Sequence, residues 1–224
     1  VGFKNATMES FEVTADDGTR GRELWSSDGT PQGTAMVKDI NPGGGGCHPT
    51  GFISWQGLLL FQADDGTHGL EPWVTDGTGT GTRILKDIQT GSGGSSCLFK
   101  AATDSNIYFT AKDGTGFAIW RSDGTPGGTR VVSRSSLEME NPIAFRDKVL
   151  FQGRTTAAGR ELWVTDGTGT GTFMVRDINQ GNADGLFQSP VNLGNRVLFA
   201  ADEGTHIPIR STTVLLCRSR VSGI

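Results

Sequence analysis

Two acidic pairs, Asp16-Asp17-Gly18 and Asp64-Asp65-Gly66, are the first residues in this chain whose types and spacing could do chemistry. Adjacent carboxylates in a tight turn could hold calcium, which takes roughly 6–8 oxygen ligands. A calcium loop, however, spaces its acids at alternate positions and closes with a bidentate glutamate, and that D-x-D-x-D-G pattern is absent. The equivalent turn further along reads Arg154-Thr155-Thr156-Ala157, so no cation site is common to all copies. Aspartates capping their own turns account for the pairs. Asp39, Asp87 and Asp177 form a second set, each after Lys or Arg and before Ile. A group repeated from copy to copy serves the copy, whereas catalysis needs one asymmetric constellation. These three are expected to hydrogen-bond between copies or to fix an inner loop.

Enzymatic signatures are scarce. His48, His68 and His206 lie in separate repeats, with His68 and His206 at equivalent, exposed turn positions by expectation. No H-x-x-x-H pair, G-x-S-x-G elbow or phosphate loop occurs. The glycine-rich stretches 43–46 and 91–94 lack the Lys-Ser/Thr ending and helix that a phosphate loop needs, and read as flexible connectors. No residue is therefore assigned as catalytic, cofactor-binding or metal-binding. An enzyme on this sequence would have to draw on loops that differ between repeats, with Glu138, Glu140 and Asp184 the candidates. Cys47, Cys97 and Cys217 are an odd number with no C-x-x-C pair. Cys47 and Cys97 sit in similar glycine-rich loops, which leaves open one bridge in an oxidising compartment or two free thiols. Asn5-Ala6-Thr7 fits a glycosylation sequon, relevant only in a eukaryotic secretory pathway.

What must position these groups is a repeat. RELWSSDGTPQGTAMVKDI from Arg22, LEPWVTDGTGTGTRILKDI from Leu70, AIWRSDGTPGGTRVV from Ala118 and RELWVTDGTGTGTFMVRDI from Arg160 align, with Trp25, Trp73, Trp120 and Trp163 spaced by 48, 47 and 43 residues. Upstream of each tryptophan lies a short turn, usually acidic, and before most of these an apolar run such as 58–61. Units are expected near 11–48, 49–98, 99–140 and 141–187, with a fifth beginning at 188–206. Within the second, strands are expected at 51–55, 58–63, 71–75 and 82–88, separated by Gly-, Asp- and Thr-rich turns. A period of ~40–50 residues with four short strands indicates an all-β chain of β-propeller type. The reading is four blades plus the start of a fifth, an incomplete ring. Alternation in Glu161-Leu162-Trp163-Val164-Thr165 puts Leu162 and Val164 on one face and Trp163 on the other, filling the gap between blades. Pro72 lies in an interior strand and is expected to bulge or shorten it.

With those residues in view, the chain resembles proteins carrying the ELWxxDGTxxGT repeat. Glu161-Leu162-Trp163, Asp166-Gly167-Thr168 and Gly171-Thr172 match the motif fully, as do Glu23-Leu24-Trp25, Asp28-Gly29-Thr30 and Gly33-Thr34. The second copy has Pro72 in the Leu position and the third Ala118-Ile119 before Trp120. The resemblance covers roughly residues 11–206. It implies a propeller fold and a secreted or surface-attached, mostly bacterial protein whose biochemical role is largely uncharacterised. Ser27-Asp28-Gly29-Thr30 also resembles in part the Asp-box of sialidase propellers, a hairpin cap outside the sialidase active site.

The remaining expectations come from composition and from breaks in the pattern. The 224 residues include 34 glycines, carry a formal net charge of −4 and are 35% hydrophobic. Acidity argues against a nucleic-acid partner, and no apolar run reaches the ~20 residues of a membrane span. The third unit has Ser133-Arg134-Ser135 where Lys38-Asp39-Ile40 and Lys86-Asp87-Ile88 stand in the others, and a shorter connector. The chain opens on Val1 with no visible leader, which suggests a processed product or a fragment. After His206 the repeat stops, and 207–224 reads either as the product of a frameshift or mis-joined exon, or as a divergent cap over a blade edge. The function expected is a non-catalytic, extracellular or cell-surface scaffold binding a protein or glycan, with no cofactor. The alternatives are a propeller-fold hydrolase or lyase with its site in the irregular loops, and a purely structural array. Reading the message across codon 206 should reveal further ELW-DGT units in another frame; an in-frame read of the same residues removes the frameshift.

Overall fold

A computed structural model describes residues 11–134 and 137–204, with the backbone alone for 11–13. The Asn5 sequon, His206, Cys217 and the 207–224 tail lie outside the described residues. All regular structure among the described residues is β. Every sheet is an antiparallel meander. The first comprises β1 (Phe11–Asp16), β2 (Arg22–Ser27) and β3 (Ala35–Lys38). Three four-stranded sheets follow: β4 (Thr50–Trp55), β5 (Leu58–Asp64), β6 (Leu70–Thr75) and β7 (Arg83–Ile84); β8 (Leu98–Ala102), β9 (Ile107–Asp113), β10 (Gly116–Ser122) and β11 (Arg130–Ser133); β12 (Glu140–Phe145), β13 (Lys148–Thr155), β14 (Gly159–Thr165) and β15 (Phe173–Arg176). A two-stranded sheet of β16 (Gln188–Leu193) and β17 (Arg196–Ala200) ends the described chain. These correspond to the repeats found in the sequence. Among the described residues no helix is long and apolar enough to cross a membrane.

Alternation along each strand feeds two neighbouring sheets. Val149, Phe151 and Trp163 face the preceding sheet and pack with Tyr108, Ile119 and Val132. Leu150, Leu162 and Val164 face the following one and pack with Phe187, Val197 and Phe199. Trp73 likewise joins Leu24 and Ile40 of the first unit. Trp73, Trp120 and Trp163 thus sit between sheets, as the alternation predicts. Each fully buried Phe in this series contributes roughly 1.5–3 kcal/mol, and a lone sheet could not bury both of its faces. The first strands also tie successive units together: Trp55 Nε1 donates to Thr103 O at 2.7 Å, and Asn192 Nδ2 to Ala144 O at 2.9 Å.

Pro72 corrects one expectation. β6 is neither bulged nor shortened, and it pairs with β5 in unbroken register, Gln62 opposite Pro72. The Pro72 carbonyl accepts from Leu85 N at 2.7 Å, so the missing N–H faces the outer strand. The loss falls there instead: β7 keeps only Arg83–Ile84, whereas β3, β11 and β15 each run for four residues.

The DGTxxGT turns are closed hydrogen-bond circuits. In the fourth unit Asp166 Oδ1 accepts from Thr168 N at 2.9 Å and from Thr168 Oγ1 at 2.7 Å. Gly171 N donates to Thr168 Oγ1, Thr172 Oγ1 to Thr168 O, and Gly167 N to Thr165 Oγ. Asp28, Asp76 and Asp123 repeat the pattern, and the threonine bonds hold all four carboxyls below the usual aspartate range.

Cys47 and Cys97 are both free and buried, in separate apolar clusters, which settles the two readings in favour of thiols. Burial is the main cause pushing both thiols far above the ordinary cysteine value. A Cys217→Ser protein is expected to show no thiol reactive to a chromogenic disulfide reagent when native and two when unfolded in guanidinium.

Candidate functional site

The glutamate two residues before the tryptophan in the first, second and fourth units has a task that the sequence reading did not give it. Glu23, Glu71 and Glu161 are completely buried. Glu23 accepts backbone N–H groups of Ile40 (2.8 Å), Asn41 (3.2 Å) and Cys47 (2.9 Å). Glu71 accepts from Ile88 and Gln89, and Glu161 from Ile178 and Asn179. Each carboxylate therefore clamps the connector that runs to the next sheet onto the strand that carries it, β2, β6 or β14. Burial is the main cause raising the Glu71 and Glu161 carboxyls above their ordinary value, and the N–H bonds pull against it.

The clamped connector lies directly on the chain. His48 N donates to Arg22 O, Ser95 N to Leu70 O and Gly185 N to Arg160 O. On its other side Cys47 O accepts from Asp64 N, Ser95 O from Lys112 N and Gly185 O from Asp202 N. A Cβ on Gly69 would stand 2.6 Å from Gly94 N, so only glycine fits under the crossing; Gly21 meets Gly46 and Gly159 meets Ala183 in the same way. The glycine-rich stretches are connectors, as expected, but they are held in place.

The third unit breaks every part of this arrangement. Ala118 stands where the other units have the glutamate, and the connector spans only 134–139. Gly116, the counterpart of Gly69, has nothing within 4 Å of a built Cβ. Among the described residues no connector N–H bonds the Phe117 carbonyl, which shares register with Leu70 and Arg160. A cleft of about 760 Å³ opens there, walled by Phe117, Ala118, Lys100, Arg134, 137–140 and Arg160. Phe117 is 63% exposed, the most exposed of the large apolar side chains described.

Glu138, Glu140 and Asp184 do converge on Arg160, and the two glutamates line the cleft with it. Its guanidinium reaches Glu138 Oε2 at 3.7 Å, Glu140 Oε2 at 3.2 Å and Asp184 Oδ2 at 3.3 Å. Glu140 also accepts from Gln152 Nε2 at 2.8 Å. Hydrogen bonds from Arg160 hold Asp184 below the usual carboxyl range. A carboxyl held low in this way, as Asp184 is, is a poor proton donor at neutral pH. On the opposite wall Arg134 pairs with Asp113 and Thr115, while Lys100 has no partner among the described residues.

The other residues singled out from sequence are accounted for locally, with two corrections. Asp17 Oδ1 takes N–H bonds from Thr19 and Arg20, and Asp65 Oδ1 from Thr67 and His68, so the acidic pairs cap their turns. His68 is half-buried rather than exposed, with Nδ1 2.7 Å from Asp65 Oδ2; that bond is the main cause raising its pKa. Asp39, Asp87 and Asp177 do not fix the loop. Among the described residues each has a buried Oδ1 without a hydrogen-bond partner, Asp39 Oδ2 lies 3.5 Å from Arg20 Nε, and the loop N–H groups bond the glutamates instead.

No protein-family model matches the chain, and no curated protein matches it either. Among solved structures it is similar to an acylaminoacyl peptidase from Pyrococcus horikoshii, with 12% identity and a TM-score of 0.51 over 90% of this chain and 32% of that one. A puromycin hydrolase S511A mutant complexed with PGG gives 15% identity and a TM-score of 0.50 over 86% and 31%. A putative TolB from Agrobacterium tumefaciens gives 11% and 0.47 over 88% and 68%. The chain spans about a third of the length of the two hydrolases. At such identities the likeness concerns fold alone, and these neighbours are propeller-like.

Removing one clamp exposes its energetics. Glu161→Ala strands the Ile178 and Asn179 N–H groups and should cost about 3 kcal/mol in urea unfolding. Because the folded-state Glu161 carboxyl titrates above its ordinary value of 4.5, its contribution is fully present below that pH and is lost as pH rises through the folded value. The stability of the wild type relative to Glu161→Gln should therefore fall as pH is raised from about 4.5.

Proposed function

We propose that the chain is a non-catalytic, secreted or cell-surface scaffold of the ELWxxDGTxxGT type, which binds a protein or glycan ligand in the cleft beside the third sheet. The observation that carries this reading is the cleft itself. It joins an exposed aromatic face, Phe117, to charged walls on which Arg160 pairs with Glu140. Such a site offers contact area and fixed charge. Its volume falls in the range of ~300–1,000 Å³ usual for ligand sites. In this reading the sheets are blades of a propeller, four units and the start of a fifth, with the cleft between the third and fourth. Most repeated polar groups are absorbed by turns and clamps, which leaves the one irregular unit to differ from its neighbours.

The test is a protein and glycan array probed with wild type and with Phe117→Ala at micromolar concentration. A saturable binder should appear and weaken at least about tenfold in the variant, the loss expected of a central aromatic contact. No binder, or one indifferent to Phe117, overturns the proposal.

A further inference from the structure

The cleft occupies the place where the other units carry a piece of their own chain. In the first, second and fourth units a connector segment crosses the start of β2, β6 or β14. Its N–H groups bond the carbonyls of Arg22, Leu70 and Arg160, and its carbonyls accept from Asp64, Lys112 and Asp202 of the next unit. In the third unit Ala118 stands in place of the glutamate and, among the described residues, no connector N–H bonds the Phe117 carbonyl, while the strand keeps its register: Phe117 stands opposite Lys112 as Leu70 stands opposite Asp64. The receiving strand is thus a backbone-binding edge to which, among the described residues, no connector backbone is bound. The walls also differ in sign. On β8, Lys100 has no partner among the described residues. On the connector, Glu138 has a side chain 57% exposed and touches Arg160 only at 3.7 Å.

We infer that the ligand is an extended peptide segment of another protein that takes the place of the missing connector. Its backbone N–H bonds the Phe117 carbonyl, an apolar side chain packs on the Phe117 ring, an acidic side chain meets Lys100, and a basic one meets Glu138. This rests on the scaffold reading above and deepens it, selecting peptide over glycan. Pairing through main chain gives affinity, and the alternating side chains give selectivity.

The probe is a set of synthetic octapeptides, each with one Asp, one Leu and one Lys at varied spacing, measured by fluorescence polarisation against the full chain, with a glycan array in parallel. At least one spacing should bind saturably. Lys100→Glu should weaken that peptide about tenfold or more, and replacing its Asp by Lys should restore binding to the variant but not to wild type. Thermal melting of Lys100→Glu should match wild type, since Lys100 has no partner to lose. Peptide binding unaffected by Lys100→Glu, or lost without rescue by the swapped peptide, overturns the inference. Glycan binding that Phe117→Ala abolishes, with no peptide bound, overturns the peptide while leaving the scaffold standing. No binding in either format overturns both.

Discussion

A carboxylate with no access to water is costly unless its oxygens are fully engaged, and the sheet-to-sheet geometry of this protein follows from how Glu23, Glu71 and Glu161 meet that condition. Their acceptors can be saturated only by N–H groups brought from elsewhere, and the connector supplies them. Glycine is required at the crossing because the connector must approach within the reach of a carboxylate while passing over the backbone of Gly21, Gly69 or Gly159. Fixing the connector fixes where the next sheet begins, and hence which apolar face meets which. The tryptophans fill the interface, but the clamp decides that the interface forms there.

The DGTxxGT turn solves a different problem by the same means. It has to reverse the chain between the third and fourth strands, and it satisfies its polar groups within a few residues. Asp166, Thr168 and Thr172 bond one another and the intervening backbone, so the turn depends on little outside itself. A local circuit of this kind can be copied from unit to unit without adjustment, whereas the clamp requires strand and connector to match. That difference explains why the third unit retains its turn, with Asp123, Thr125 and Gly128 in place, while it loses the clamp.

Short-range features were legible in the sequence. Strand alternation placed Trp163 against Leu162 and Val164 correctly, because a two-residue period is a property of the chain alone. The turn aspartates were legible for the same reason. Contacts that span a sheet were not. The loop-fixing role was given to Asp39, Asp87 and Asp177, which adjoin the loop in sequence, when Glu23, Glu71 and Glu161 reach it from a neighbouring strand. Pro72 was misjudged because residue type does not say which side of a strand the missing N–H faces. Glu138, Glu140 and Asp184 were picked out as irregular, yet nothing in their spacing announced Arg160 as the group that draws them together.

The two departures of the third unit are one change seen from both sides. A connector that crosses the strand without a carboxylate leaves its N–H groups buried and unpaired, and a glutamate without the connector leaves a buried charge. Either alone would cost several times the ~1 kcal/mol of a typical substitution, so Ala118 and the short 134–139 connector belong together. Their joint loss frees the Phe117 carbonyl and exposes its ring while the rest of the sheet keeps its register. A repeat protein gains an asymmetric surface most economically in this way, by omitting a matched pair from one copy.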